Sequence, residues 1–152
     1  MGESLLERLS SALGEALTIV EEFDGGLTVS QDGVVASLRV VTIAEGLEMV
    51  SLSQPLAWDL PLTAKTRERV VRHASATLLG TVALVEKVPA GPETPTNGSS
   101  GKAAARQSSN RKVADVMLRY NFPGAGLTDD ALRTLILMVL AAGADIRREL
   151  VG

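Results

Sequence analysis

Hydrophobic positions along this chain recur with two different periods, and the switches between them divide it into elements. Over residues 3–17, Leu5, Leu6, Leu9, Leu13, Ala16 and Leu17 share one side at 100° per residue, with Glu7, Ser11 and Glu15 opposite. That is an amphipathic helix, and its acidic first turn suits the helix dipole. Thr18 to Phe23 either extends this helix or begins a short strand; periodicity leaves both open. From Leu27 the period becomes two. Leu27 to Gln31, then Asp32-Gly33, then Val34 to Thr42 predicts a hairpin, because Asp-Gly supplies the positive φ of a type I′ turn. Ala36, Leu38 and Val40 should point one way, and Ser37 and Arg39 the other. A reversal at Glu45-Gly46 leads into a third strand, Leu47 to Ser53, with Val50 and Leu52 inward.

Pro55 and Pro61 bracket what reads as a turn segment around Trp58. Thr63 is a suitable N-cap for a helix from Ala64 to Leu78, with Val70, Val71, Ala74 and Leu78 as its core face. Gly80 stops it, and Thr81 to Val88 reads as a fourth strand. Residues 89–110 are rich in Pro, Gly, Ser and Ala without an aliphatic anchor, the composition of a flexible loop. Regular structure returns at Arg111 to Phe122. There Ala114, Val116, Leu118 and Tyr120 alternate with Asp115 and Arg119, a fifth strand expected to pair with the fourth, although a helical start at Lys112 stays open. Pro123-Gly124 turns the chain, and Thr128 caps a last helix whose first turn holds Asp129 and Asp130. The expected order is α-β-β-β-α-β-β-α: one α+β domain over 1–152, with an antiparallel sheet of about five strands.

The last helix is the most informative. Leu132, Leu135, Ile136, Val139, Gly143, Ile146 and Leu150 form the stripe a core requires. Leu137, Met138 and Ala141 lie roughly opposite it, so Leu135 to Ala144 is apolar nearly all round. Such a helix wants a second packing partner, either the N-terminal helix or another chain. Leu137, Met138 and Ala141 are therefore candidate partner or dimer-interface residues, joined by Met49 and by Trp58, a residue type enriched at binding hot spots but found more often filling a core.

Composition narrows the functional classes. The 152 residues are 45% hydrophobic, 22% charged and only 3% aromatic, so aliphatic side chains must fill the core. Arginine outnumbers lysine, a bias of GC-rich bacterial genomes. The absence of cysteine removes disulfides, thiolate metal sites and cysteine nucleophiles, and fits a reducing cytoplasm. The start, Met-Gly-Glu-Ser-Leu-Leu, lacks a basic signal-peptide region, and the longest apolar run, Leu135 to Ala142, is far shorter than the roughly 20 residues of a membrane span. Together these predict a cytoplasmic protein that does not enter a membrane. The net charge of −3 disfavours general nucleic-acid binding. Lys65, Arg69 and Arg72 nevertheless share a stripe of the middle helix that could hold an anion, although a solvated face has the same pattern.

No catalytic constellation emerges. His73 is the only histidine and has no cysteine beside which to bind a metal. Glu21-Glu22-Asp24 and Asp129-Asp130 sit at element ends, where carboxylates serve local hydrogen bonds and helix dipoles. The glycine clusters lack the strand–loop–helix context of phosphate cradles, and the serines lack a nucleophile elbow. No cofactor or metal site is expected.

Element order, together with Asp115-Val-Met-Leu-Arg-Tyr-Asn-Phe-Pro, Gly126-Leu-Thr-Asp-Asp-Ala-Leu-Arg and the apolar helix ending Arg147-Arg-Glu-Leu150, resembles the family of type III secretion chaperones and YbjN-like domains. The resemblance is one of pattern over most of the chain and of sequence near its end. It implies a non-enzymatic, usually dimeric domain that holds extended client segments. The expectation is thus a homodimeric protein- or peptide-binding domain, a secretion-type chaperone or regulatory adaptor, with a small-molecule- or nucleic-acid-binding regulatory domain that uses the basic helix face as the alternative.

Overall fold

The computed structural model describes residues 4–31, 33–88 and 112–151. The elements are α1 (Leu5–Leu13), β1 (Thr18–Glu21), β2 (Leu27–Gln31), β3 (Val34–Ala44), β4 (Leu47–Pro61), α2 (Ala64–Ala76), β5 (Thr81–Lys87), β6 (Val113–Pro123) and α3 (Asp129–Val151). They form an α+β fold in which six antiparallel strands are ordered β1-β2-β3-β4-β6-β5. The expected pairing of the last two strands is present, with Val82 opposite Leu118 and Leu84 opposite Val116. The loop expected over 89–110 lies outside the described residues.

Local chemistry explains the helix ends. Ser4 and Glu7 form a reciprocal capping box at α1, each backbone N–H donating to the other side chain at 3.2 Å. The Thr66 N–H donates to Thr63 Oγ1, and the Ala131 N–H to Thr128 Oγ1, both at 3.1 Å, so the two threonines cap α2 and α3 as expected. The first helix is shorter than its hydrophobic pattern: it ends at Leu13, and Thr18–Glu21 is a strand paired with β2. Gly33 and Gly46 sit at φ +83° and +79°, the left-handed backbone that the hairpin turns after β2 and β3 demand.

All three helices cover one face of the sheet. Leu9 and Leu13 of α1 and Leu132, Ile136 and Val139 of α3 are buried in one cluster with Leu38, Val50, Leu52, Val116 and Leu118. Arg8 and Arg133 tie α1 to α3: Arg8 Nε donates to Asp129 Oδ1, and Arg133 Nε to the Ala12 carbonyl, both at 2.9 Å.

Two expectations need correction. The segment between Pro55 and Pro61 is no turn, because β4 continues through it to Pro61. The β3–β4 ladder stops at Ser37 opposite Ser53, so from Pro55 onward β4 pairs only with β6, and Pro55 interrupts no ladder on the β3 side. The second correction concerns α2. Of its expected core face only Val70 is buried; Val71 and Ala74 are exposed, and Leu78, also exposed, lies beyond the helix, which ends at Ala76 with Thr77 as its C-cap. The helix lies against the edge strand β5, where the sheet is too narrow to receive a wide apolar face.

Candidate interaction surface

The five proposed interface residues fall on two opposite sides of the molecule. Leu137, Met138 and Ala141 lie on the outer side of α3. Leu137 is half-buried against the core cluster, while Met138 is 47% exposed and Ala141 is exposed. Among the described residues, the second face of α3 is thus only partly met by internal packing. Beside it runs a shallow groove between α3, Ala16 after α1, and Gln31 and Val34 at the β2–β3 turn; Leu137, Ala141 and Ala144 form its α3 wall. The floor exists because Ala141 and Ala144 are small. Asp145 and Arg148 stand at its end and pair with each other.

Met49 and Trp58 lie on the sheet face away from the helices. Met49 is half-buried opposite Val41 and Pro123, one residue before the fully buried Val50. Trp58 is 61% exposed, so the commoner fate of a tryptophan, filling the core, does not apply. Register irregularities on either side of Ala57 swing it outward, and the next residue, Asp59, takes a left-handed φ of +54°. The Asp59 N–H donates to Asp115 Oδ1 at 3.0 Å, which offsets part of that strain. Lys87 Nζ completes the cluster, 2.8 Å from Asp59 Oδ1, 2.9 Å from Asp115 Oδ1 and 5.8 Å from the Trp58 ring centre. Burial works against the charge on Asp115, but the Asp59 N–H and Lys87 outweigh it and hold the carboxyl below its ordinary value. Bonds to Asp59 and then Asp115 raise the Lys87 ammonium above its own. The cluster is charge-satisfied within the chain, and no signal in the sequence placed Lys87 and Asp115 beside Trp58.

The three cations of the α2 stripe are not equivalent. Lys65 and Arg72 are exposed, but Arg69 is half-buried and donates from Nη2 to the Glu149 carbonyl near the end of α3. One member of the proposed anion site therefore tethers α2 to α3. His73 assists, with Nε2 3.1 Å from Glu149 Oε2, although the two lack hydrogen-bond alignment. Among the described residues no three His, Asp or Glu side chains converge as metal ligands. The early carboxylates have structural partners: Asp24 pairs with Arg39 and accepts the Gly26 N–H, and Glu22 accepts from Thr28. No helix among the described residues is long and apolar enough to cross a membrane.

No family model matches this chain, and no curated protein matches its sequence.

Proposed function

We propose that this chain is a non-catalytic protein- or peptide-binding domain, acting in the cytoplasm as a secretion-type chaperone or regulatory adaptor. The observation that carries the reading is the apolar centre of α3, which the described residues leave partly open: Leu137, Ala141 and Ala144 line a groove, and Met138 is exposed outside it. A partner's aliphatic side chains gain about 25 cal/mol for each Å² of apolar surface they bury there. The charged ends of the helix, Asp130 with Arg133 and Asp145 with Arg148, exclude a partner that is apolar throughout. The local pairing of the carboxylates and the structural engagement of Arg69 favour this reading over catalysis or anion binding.

Selection of a displayed peptide library on the protein, immobilised at low density, tests it. Enrichment of aliphatic peptides that bind the wild type and not Ala141→Glu is the expected result. Failure to enrich, or equal binding to both proteins, would remove the α3 surface from the function.

A further inference from the structure

The outer face of α3 carries Asp130, Thr134, Leu137, Ala141, Ala144 and Arg148, at intervals of four, three, four, three and four residues. This is the seam spacing of a coiled coil, on the side of the helix away from the buried Ile136, Val139 and Gly143. The interval pattern reads the same in both directions. A second copy of α3 laid antiparallel, with the dyad at Val139, therefore sets every seam position against a seam position. Asp130 meets Arg148, Thr134 meets Ala144, and Leu137 meets Ala141.

Each of these juxtapositions is complementary. The helix has an acid–base pair three residues apart at each end, Asp130 with Arg133 at 3.1 Å and Asp145 with Arg148, and the acid comes first in both. Antiparallel alignment crosses acid to base at both ends, whereas a parallel in-register pair would oppose like charges. At the centre a large residue faces a small one, which lets the backbones approach. Of the seam, Asp130, Thr134, Ala141 and Arg148 are exposed, and Leu137 and Ala144 are half-buried at the wall of the groove, so among the described residues the seam is open along most of its length.

We infer that α3 pairs antiparallel with α3 of a second copy of this chain, in the register that sets Asp130 against Arg148. The inference rests on the reading of this face as a binding surface and names its partner. The contact is isologous and therefore closes as a dimer. Asp130 to Arg148 spans about 27 Å at 1.5 Å per residue. One helix face of that length is at the low end of specific interfaces, so a weak dimer that depends on concentration is expected.

The test is molecular mass by sedimentation equilibrium from about 1 μM to 1 mM. The wild type is expected to pass from monomer to dimer. Asp130→Arg and Arg148→Asp each set like charges together at both ends of the seam, and each is expected to weaken the dimer at least tenfold while remaining folded by circular dichroism. Mixing the two variants restores both complementary pairs, so a heterodimer should form at the wild-type concentration. Thr134→Lys mixed with Ala144→Glu tests the same register without altering the helix start, and the mixture should again associate more tightly than either variant alone. A wild type that stays monomeric to 1 mM overturns the self-pairing and leaves the peptide selection above as the judge of the binding surface. A dimer whose mixed variants fail to recover in both sets overturns the register.

Discussion

Alternate residues of the same strands meet two different environments in this molecule. In β4, Val50, Leu52, Gln54 and Leu56 are buried beneath helices, while Met49, Ser51, Ser53 and Pro55 line a face that no described element covers. In β6, Val116 and Leu118 are buried, while Asp115 and Arg119 face the other way. The covered face holds the apolar burial that stabilises the fold; the open face mixes locally neutralised charge and hydroxyls with part-exposed Val35, Val41, Met49 and Val85. The covered face is itself uneven, since α3 contributes seven buried residues and α2 only Val70. α1 adds four, so the half-covered sheet draws most of its cover from α3.

Truncating that helix should give the largest effect. Ile136 is fully buried, and Ile136→Ala should cost about 2–5 kcal/mol in urea unfolding through lost transfer energy and a residual cavity. A loss below about 1 kcal/mol would mean that α3 is not the main cover of the sheet. Gly143→Ala is the sharper probe. At an exposed helix position that change gains about 1 kcal/mol. Here the new Cβ would fall inside van der Waals contact with the Gln54 amide, so a loss of about 1–3 kcal/mol is expected. Gln54 is buried between β4 and α3, its Nε2 donating to the Leu140 carbonyl at 3.4 Å and its Oε1 without a partner among the described residues. Combining Gln54→Ala with Gly143→Ala removes the collision, and the pair should cost less than the sum of the single changes. Simple additivity would show that the close approach of α3 to β4 has been misread.

The weak cover at α2 gives a smaller, paired prediction. Val70→Ala should lose about 1–2 kcal/mol, while Val71→Ala, one residue on and 62% exposed, should change stability by less than about 0.5 kcal/mol. Equal losses would mean that α2 buries a wider face than Val70.

That contrast also marks where the sequence was and was not legible. Alternation named the inward residues of β3, β4 and β6 because a one-residue slip would expose a whole apolar set. The buried stripe of α3 followed equally well from its period. Periodicity failed where burial depends on what lies opposite. Val71 and Ala74 have the spacing of core residues, but α2 sits over an edge strand with little to offer them, and the helix ends before Leu78. Pro55 read as a strand breaker because its tolerance depends on where the β3 ladder ends, a fact of the sheet and not of the segment. Leu137, Met138 and Ala141 were legible as a second apolar face. Their separation from Trp58 by the thickness of the sheet was not, because Trp58 stands in a segment that reads as a turn and so had no strand register to give its face.

The smallest effect lies on the open face, where charge rather than packing holds Trp58. Asp115 has a carboxyl held below the ordinary aspartate value of 3.8, so its ion pair with Lys87 stabilises the folded chain above that value. The contribution is lost as pH falls through the lower, folded value. Lys87 titrates above the ordinary lysine value of 10.5, so its share is present below 10.5 and is lost only as pH rises beyond it. Trp58 is the only tryptophan, and its fluorescence reports this cluster alone. Its emission should be constant from pH 7 to pH 5 and should shift only in acid below about pH 3.8, as protonated Asp115 gives up its ion pair and leaves the Lys87 ammonium beside the ring to Asp59 alone. Asp115→Asn should abolish that acid step while leaving the unfolding midpoint at neutral pH nearly unchanged, because the group is exchanged on the face that carries little of the packing. The same step persisting in Asp115→Asn would locate the titration elsewhere. A large fall in midpoint would instead show that the open face contributes to stability as the covered one does.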